Sequence, residues 1–91
     1  MSKLFTITIL TPERTIYVGK VSSLIAPCHF GYAGVLANHA PFMSTMTPGK
    51  IILKEEAGRR RIFYSKDKGF LEVLRNNVNL LVKSIDTGSL Q

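Results

Sequence analysis

KIILKEEAGRRRIFYS, residues 50–65, sets the turn dipeptide Ala57-Gly58 between two apolar runs, and its reading decides whether the chain is built from strands. A two-residue turn at Ala57-Gly58 places Leu53 opposite Ile62 and Ile51 opposite Tyr64 on one face, with Glu55 opposing Arg60 at its outer end. On the other face Lys54 meets Arg61 and Glu56 meets Arg59. Opposite charges facing each other across a hairpin contribute roughly 0.2–1 kcal/mol. The basic run Arg59-Arg60-Arg61 therefore reads as a solvated hairpin tip, not as a nucleic-acid patch.

The same alternation extends outward in both directions. In Leu4-Phe5-Thr6-Ile7-Thr8-Ile9-Leu10 the apolar Phe5, Ile7 and Ile9 alternate with threonines, the period-two signature of a half-buried strand. Thr11-Pro12-Glu13-Arg14 reads as a turn. Thr15 to Val18 and Val21 to Ala26 predict two further strands, the second stopped by Pro27 because proline has no N–H for a sheet ladder. Downstream, folding about Asn76-Asn77 gives a second hairpin, with Val73 opposite Leu80 and Leu71 opposite Val82. Its other face mixes Glu72, Asn79 and Lys83 with Phe70, Leu74 and Leu81, which suggests that something covers part of it. No window has helical periodicity. Short strands with turn signals every eight to twelve residues predict an all-β antiparallel sandwich. One domain over residues 1–86 and a frayed tail over 87–91 complete the organisation.

Composition sets limits on function. Hydrophobic residues are 45% of the 91, enough for a core. Twelve Lys and Arg against six Asp and Glu give a formal charge of +6, which invites an anionic partner, whether nucleic acid or an acidic protein surface. The single cysteine, Cys28, excludes an internal disulfide and fits a reducing, cytoplasmic setting. The amino terminus meets Pro12 too early for a signal peptide, and no apolar run is long enough to cross a membrane as a helix.

Candidate chemistry concentrates in HFGYAGVLANHAPF, residues 29–42, which holds both histidines and a Gly-x-x-Gly at Gly31 and Gly34. Nucleophilic catalysis needs a base beside Ser or Cys and a third group to orient it. Cys28 and His29 are adjacent and, on an extended segment, point to opposite faces. Cys28, His29 and His39 are too sparse a set for zinc. Phosphate cradling needs a glycine loop that runs into a helix, and Ala40-Pro41-Phe42 follows instead. The predicted catalytic, metal and cofactor residues are therefore none. The rival reading is a small basic RNA-binding domain, since a Gly-x-x-Gly loop resembles that of the KH module, although the KH loop lies between helices.

Pro27-Cys28-His29-Phe30-Gly31-Tyr32-Ala33-Gly34-Val35-Leu36, followed by Asn38-His39-Ala40-Pro41-Phe42, fits P-x-x-x-G-x-x-G-[IV]-L-x-x-H-A-P without a gap. Thr11-Pro12-Glu13, Val18-Gly19, Thr47-Pro48-Gly49, Gly69-Phe70-Leu71-Glu72-Val73 and Asn77-Val78 agree in the same way. Over residues 4 to 86 the chain resembles the amino-terminal domain of the F-type ATP synthase epsilon subunit. The resemblance implies a flattened β-sandwich of about ten short strands, without a cofactor and without catalysis of its own. It implies a central-stalk rotor subunit that couples rotation of the c-ring, driven by protons or sodium ions, to the gamma shaft. It also implies a place at the cytoplasmic face of the bacterial inner membrane or the equivalent organelle face, held there through the complex, with no nucleic-acid partner.

On the same grounds Tyr32, Val35, His39, Ala40, Pro41 and Phe42 are the expected gamma and c-ring contacts, and Gly31, Gly34 and Gly69 the structural glycines. Three departures stand out. The sequence stops before the family's carboxy-terminal helical hairpin, so neither inhibition by helix insertion nor ATP sensing is expected. Tyr32 occupies a ring-facing position that is often acidic, so stacking or hydrogen bonding replaces an ion pair there. Ala37-Asn38-His39 stands for the common Pro-Gly-His, and Asp67-Lys68-Gly69 for Ser-Gly-Gly; Asn38 is able to keep the left-handed turn. If Gly34 holds positive φ or a close backbone approach, Gly34→Val costs a few kcal/mol, to be read as a drop in melting temperature.

Overall fold

The computed structural model of the chain describes residues 3–86. Nine strands run in chain order: β1 (Phe5–Leu10), β2 (Thr15–Cys28), β3 (Gly31–Leu36), β4 (Phe42–Met46), β5 (Gly49–Glu55), β6 (Arg60–Ser65), β7 (Gly69–Leu74), β8 (Asn77–Val82) and β9 (Ile85–Asp86). Pairing forms two ladders that share β2: β3-β2-β5-β6-β9 and β4-β7-β8-β1-β2, the second closed on itself where Met46 of β4 pairs with Cys28 of β2. Each ladder thus has five members although the described residues hold nine strands. All pairs are antiparallel except β1 with β8, which is parallel. The core lies between the ladders and includes Phe5, Ile7, Ile9, Val21, Leu24, Val35, Met46, Ile51, Leu53, Phe63, Leu71 and Leu80.

The alternation in Phe5, Ile7 and Ile9 is met, all three being buried. Thr11 closes the predicted turn: its N–H donates to Arg14 O at 2.9 Å, and its hydroxyl donates to the same carbonyl at 3.2 Å. Elsewhere the strand pattern holds and the register moves. Residues 15–28 form one strand of fourteen residues, where two strands ending before Pro27 were expected. Gly19 stays in the ladder opposite Ile7, and Pro27 continues opposite Tyr32. Proline is tolerated because its carbonyl is the group used there: it accepts from Thr47 N–H at 3.0 Å.

The first hairpin is shifted by one residue from the expected register. Ile52 faces Ile62, Ile51 faces Phe63, and Leu53 faces Arg61. The cause is a three-residue loop, Glu56-Ala57-Gly58. Gly58 N–H donates to Glu55 O, and Glu55 N–H to Arg59 O, each at 2.8 Å, with Gly58 at φ 90°. That is a turn closed by a left-handed glycine, the usual three-residue hairpin. A one-residue slip inverts side-chain facing between the strands. Phe63 and Arg61 consequently point inward, and Tyr64 and Ile62 outward.

The second hairpin is shifted by two positions, so its faces survive. Val73 pairs with Val78 and Leu71 with Leu80, and these four are buried with Val82. The turn is Arg75-Asn76, and Arg75 holds positive φ, at 53°. The second face is mixed as expected: Leu74 and Leu81 are about half exposed beside Glu72 and Asn79.

Of the three glycines expected to be structural, two have a backbone reason. Gly31 sits at φ 124°. A Cβ on Gly69 would stand 2.5 Å from the Leu81 carbonyl oxygen, a backbone atom that cannot swing away. Gly34 has no positive φ, and the space beyond its Cα is open. The expected penalty at Gly34 is therefore withdrawn, because it is an exposed position in an ordinary strand. Gly69→Ala should lower the stability of the domain by about 1–3 kcal/mol through overpacking. Gly34→Val should stay within about 0.5 kcal/mol of the parent. Thermal melting of the two variants side by side checks both.

Candidate functional site

Strand β3 divides the histidine-rich stretch into two separate regions. At roughly 3.3 Å per residue its six positions carry the chain about 17 Å from the His29 end to the His39 end. The Gly31-x-x-Gly34 segment lies inside this strand, so it is not a loop that grips a nucleic-acid backbone between helices. Alternation along β3 buries Ala33 and Val35 and exposes Tyr32, Gly34 and Leu36. Val35, expected at a partner contact, is 1% exposed and belongs to the core.

The first region surrounds Tyr32, which is 60% exposed. It pairs with Pro27, and its hydroxyl oxygen lies 3.0 Å from where a Gly49 Cβ would be, so it uses space that the glycine leaves free. Nearby, His29 N–H donates to Thr45 O at 3.3 Å, and His29 Nδ1 lies 3.1 Å from Thr45 Oγ1 and 3.4 Å from Ser44 Oγ. The ring meets Phe30 edge to face, with centroids 5.3 Å apart. Cys28 is buried, and burial pushes its thiol above its ordinary pKa while a hydrogen bond with Ser44 draws it back. Such a thiol is the reverse of an activated nucleophile.

The second region is the loop between β3 and β4. Asn38 adopts φ 65°, as its side chain permits. His39 Nδ1–H donates to Ala40 O at 2.7 Å, and its ring tilts against Phe42 at 5.2 Å. Phe42 enters β4 opposite Val73, while Ala40 and Pro41 are exposed. Asn38 N–H donates to Asn76 Oδ1 at 2.6 Å, and Asn76 Nδ2 donates back to Asn38 Oδ1 at 3.0 Å. The predicted contact residues thus fall into two patches, Tyr32 at one end and His39 to Phe42 at the other, with Val35 withdrawn into the core. Among the described residues no three His, Cys, Asp or Glu side chains gather closely enough to hold a metal ion.

Two features escaped the sequence. The shifted hairpin turns Arg61 inward to Glu55, at 3.3 Å, and beneath the rings of Tyr17 and Phe63, whose centroids lie 5.1 and 5.7 Å from its guanidinium carbon. Tyr17 O–H donates to Glu55 at 2.6 Å. Burial, then the Glu55 hydrogen bond and charge, push the Tyr17 phenol up to about 12. The other feature is a groove of about 370 Å³ on the outer side of the β1-β8-β7 ladder, lined by Leu10, Pro12, Phe70 and Leu81, with Lys68 and Lys83 beside them. Inward-facing Arg61 was hidden by the expected register; the groove joins residues far apart in the chain.

What fold and surface define is an all-β sandwich domain whose two loop regions flank one short edge strand. The chain belongs to the ATP synthase delta/epsilon chain family through its β-sandwich domain, whose model matches residues 4–88. It is similar to the ATP synthase epsilon chain of Leptospira interrogans, 35% identical over 85 residues, which are 93% of this chain and 63% of that one. It is also similar to the epsilon chain of Dichelobacter nodosus, 36% identical over 73 residues, 80% of this chain and 50% of that one. The chain therefore spans between half and two thirds of the length of these curated relatives. Its fold matches a chain of the Euglena gracilis mitochondrial ATP synthase with a TM-score of 0.85 at 20% identity, covering 93% of this chain and 54% of that one. A chain of the Tetrahymena thermophila mitochondrial ATP synthase central stalk and c-ring matches with a TM-score of 0.70 at 16% identity, covering 89% and 64%.

The Tyr17 cluster gives a pH prediction. The folded-state pKa is raised above the ordinary value of 10, so the stability that Tyr17 contributes is whole below pH 10 and is lost as pH rises toward 12. With Tyr32 and Tyr64 replaced by Phe, tyrosinate absorbance should show a single transition in that upper range. Glu55→Gln should move its midpoint down, because both contributions of Glu55 favour the protonated phenol.

Proposed function

We propose that this domain is a non-catalytic rotor component of an F-type ATP synthase, seated between the gamma shaft and the c-ring and passing rotation from one to the other. The observation that carries this reading is the family match across the whole sandwich, residues 4–88. The geometry adds a division of labour. A subunit clamped between two partners needs two separated contact regions, and β3 carries the chain about 13 Å from Tyr32 to Leu36, where the His39 loop begins. Tyr32 faces the ring, and His39, Ala40, Pro41 and Phe42 face gamma.

Neither patch carries a dense charge array, so both are suited to protein contact by aromatic and apolar side chains. Leu74 and Leu81, with the groove behind them, supply further apolar area to a partner as long as the shaft. The assembled complex would hold the domain at the membrane surface, on the side that carries the catalytic head, in the bacterial cytoplasm or the equivalent organelle compartment. The work of the domain is mechanical: its sandwich must be stiff enough to transmit torque without shearing.

Titrating the domain with gamma, and separately with reconstituted c-ring, tests the reading. His39→Ala should weaken gamma binding by about tenfold, and Tyr32→Ala should weaken c-ring retention while leaving gamma affinity near the parent's. Failure of the parent domain to bind gamma at micromolar concentration would count decisively against a rotor role.

A further inference from the structure

We infer that Asn76 is a positioning residue: through its reciprocal amide pair with Asn38 it holds the 38–42 loop in the geometry that meets gamma. The inference rests on the rotor reading of that loop and adds to it the residue, outside the motif, that shapes the contact. Two hydrogen bonds close a ring between the side chain of Asn76 and residue Asn38, at 2.6 and 3.0 Å. The Asn76 carbonyl accepts from Thr6 N–H at 3.0 Å, which fastens its turn to β1. Asn76 is therefore tied to the sheet by its backbone and to the loop by its side chain.

Left-handed backbone lies at the same place. Among the described residues the non-glycine positions with positive φ are Asn38, at 65°, and Arg75, at 53°. They stand in the two turns that the amide pair joins. Asparagine enters the left-handed region at little cost and leaves it as easily, so its surroundings decide whether it stays. For Asn38 those surroundings are the two amide bonds, since it is an exposed residue with no strand neighbour at that point. The loop is then pinned twice, at Asn38 by Asn76 and at Phe42 by pairing with Val73. Between the pins stand His39, Ala40 and Pro41, whose directions follow from the φ of Asn38.

Without the pair, Asn38 is free to leave the left-handed region. Leaving it would swing the next peptide and turn the His39 ring away from Phe42. Phe42 packs against the core but is held there by its pairing with Val73, and neither Asn38 nor His39 belongs to the core, so the change leaves the sandwich in place. A positioning role and a merely stabilising role therefore separate cleanly.

The experiment uses the full chain and titrates it with gamma while following amide hydrogen exchange. Asn76→Ala should accelerate exchange at Asn38, weaken gamma binding by about tenfold, and leave the melting temperature of the sandwich nearly unchanged. Asn38→Ala should lose affinity to a similar extent, and the double variant should lose no more than either single one. Asn76→Asp keeps the acceptor for Asn38 N–H and should recover most of the affinity. Faster exchange at Asn38 with unchanged gamma affinity would overturn the inference, as would additive losses in the double variant. His39→Ala separates the two levels. If it weakens binding and Asn76→Ala does not, only the positioning role falls. If His39→Ala binds as the parent does, the loop is no gamma contact and the inference falls with that reading.

Discussion

Val21 is the point on which the sandwich turns. It pairs with Phe5 of β1 and with Glu55 of β5, so one residue belongs to both ladders. Before it β2 pairs with β1, and after it with β5 and β3, until Cys28 at its end pairs back to Met46 of β4. The β5 pairing shifts register between Val21 and Ser23, a bulge that bends the strand where it changes partners. Because the backbone is continuous through the bend, the two sheets cannot slide past each other without breaking β2. For the rigidity of the sandwich, that continuity matters more than any single side-chain contact.

The same strand shows what the sequence could convey. Its residues advertise strand structure through β-branched content, yet Gly19 and Pro27 look like punctuation. They act as punctuation only when the ladder needs a side chain or an N–H at those positions. Here Gly19 faces Ile7, and the carbonyl of Pro27 serves Thr47. Partner identity, a tertiary fact, decided between a break and a continuous strand. Facing in the β7–β8 hairpin was readable because an error of two positions preserves parity. In the β5–β6 hairpin it was not, because Glu56 joins Ala57 and Gly58 in the turn and the extra residue reverses the parity between the strands.

That reversal also explains why the electrostatics of this basic chain were hard to place. Arg61 appears in the sequence as one of three consecutive arginines at a tip. In the fold it lies half-buried under two aromatic rings with Glu55 as its ion partner. One of the charges that invited a polyanion partner is thus engaged within the molecule. The net charge of +6 is therefore a poor guide to a nucleic-acid function. Arg59 and Arg60 remain exposed at the hairpin end, where the sequence placed them.

The histidine-rich stretch was legible as a motif and misleading as a site. Its spacing encodes a short strand between two turns, and a strand pulls its ends apart, whereas a catalytic or metal site needs them brought together. Periodicity places Val35 inside and Tyr32 outside as soon as β3 is recognised as a strand; the motif alone treats them alike. The amide pair of Asn38 with Asn76 was beyond reach, since thirty-eight residues separate them and neither turn demands the other locally. A motif thus fixes the conformation of its own segment, while the surface that the segment presents depends on what packs behind it. In this domain the backing is the β7–β8 turn, whose Asn76 is bonded to Asn38 of the loop although it lies outside the motif.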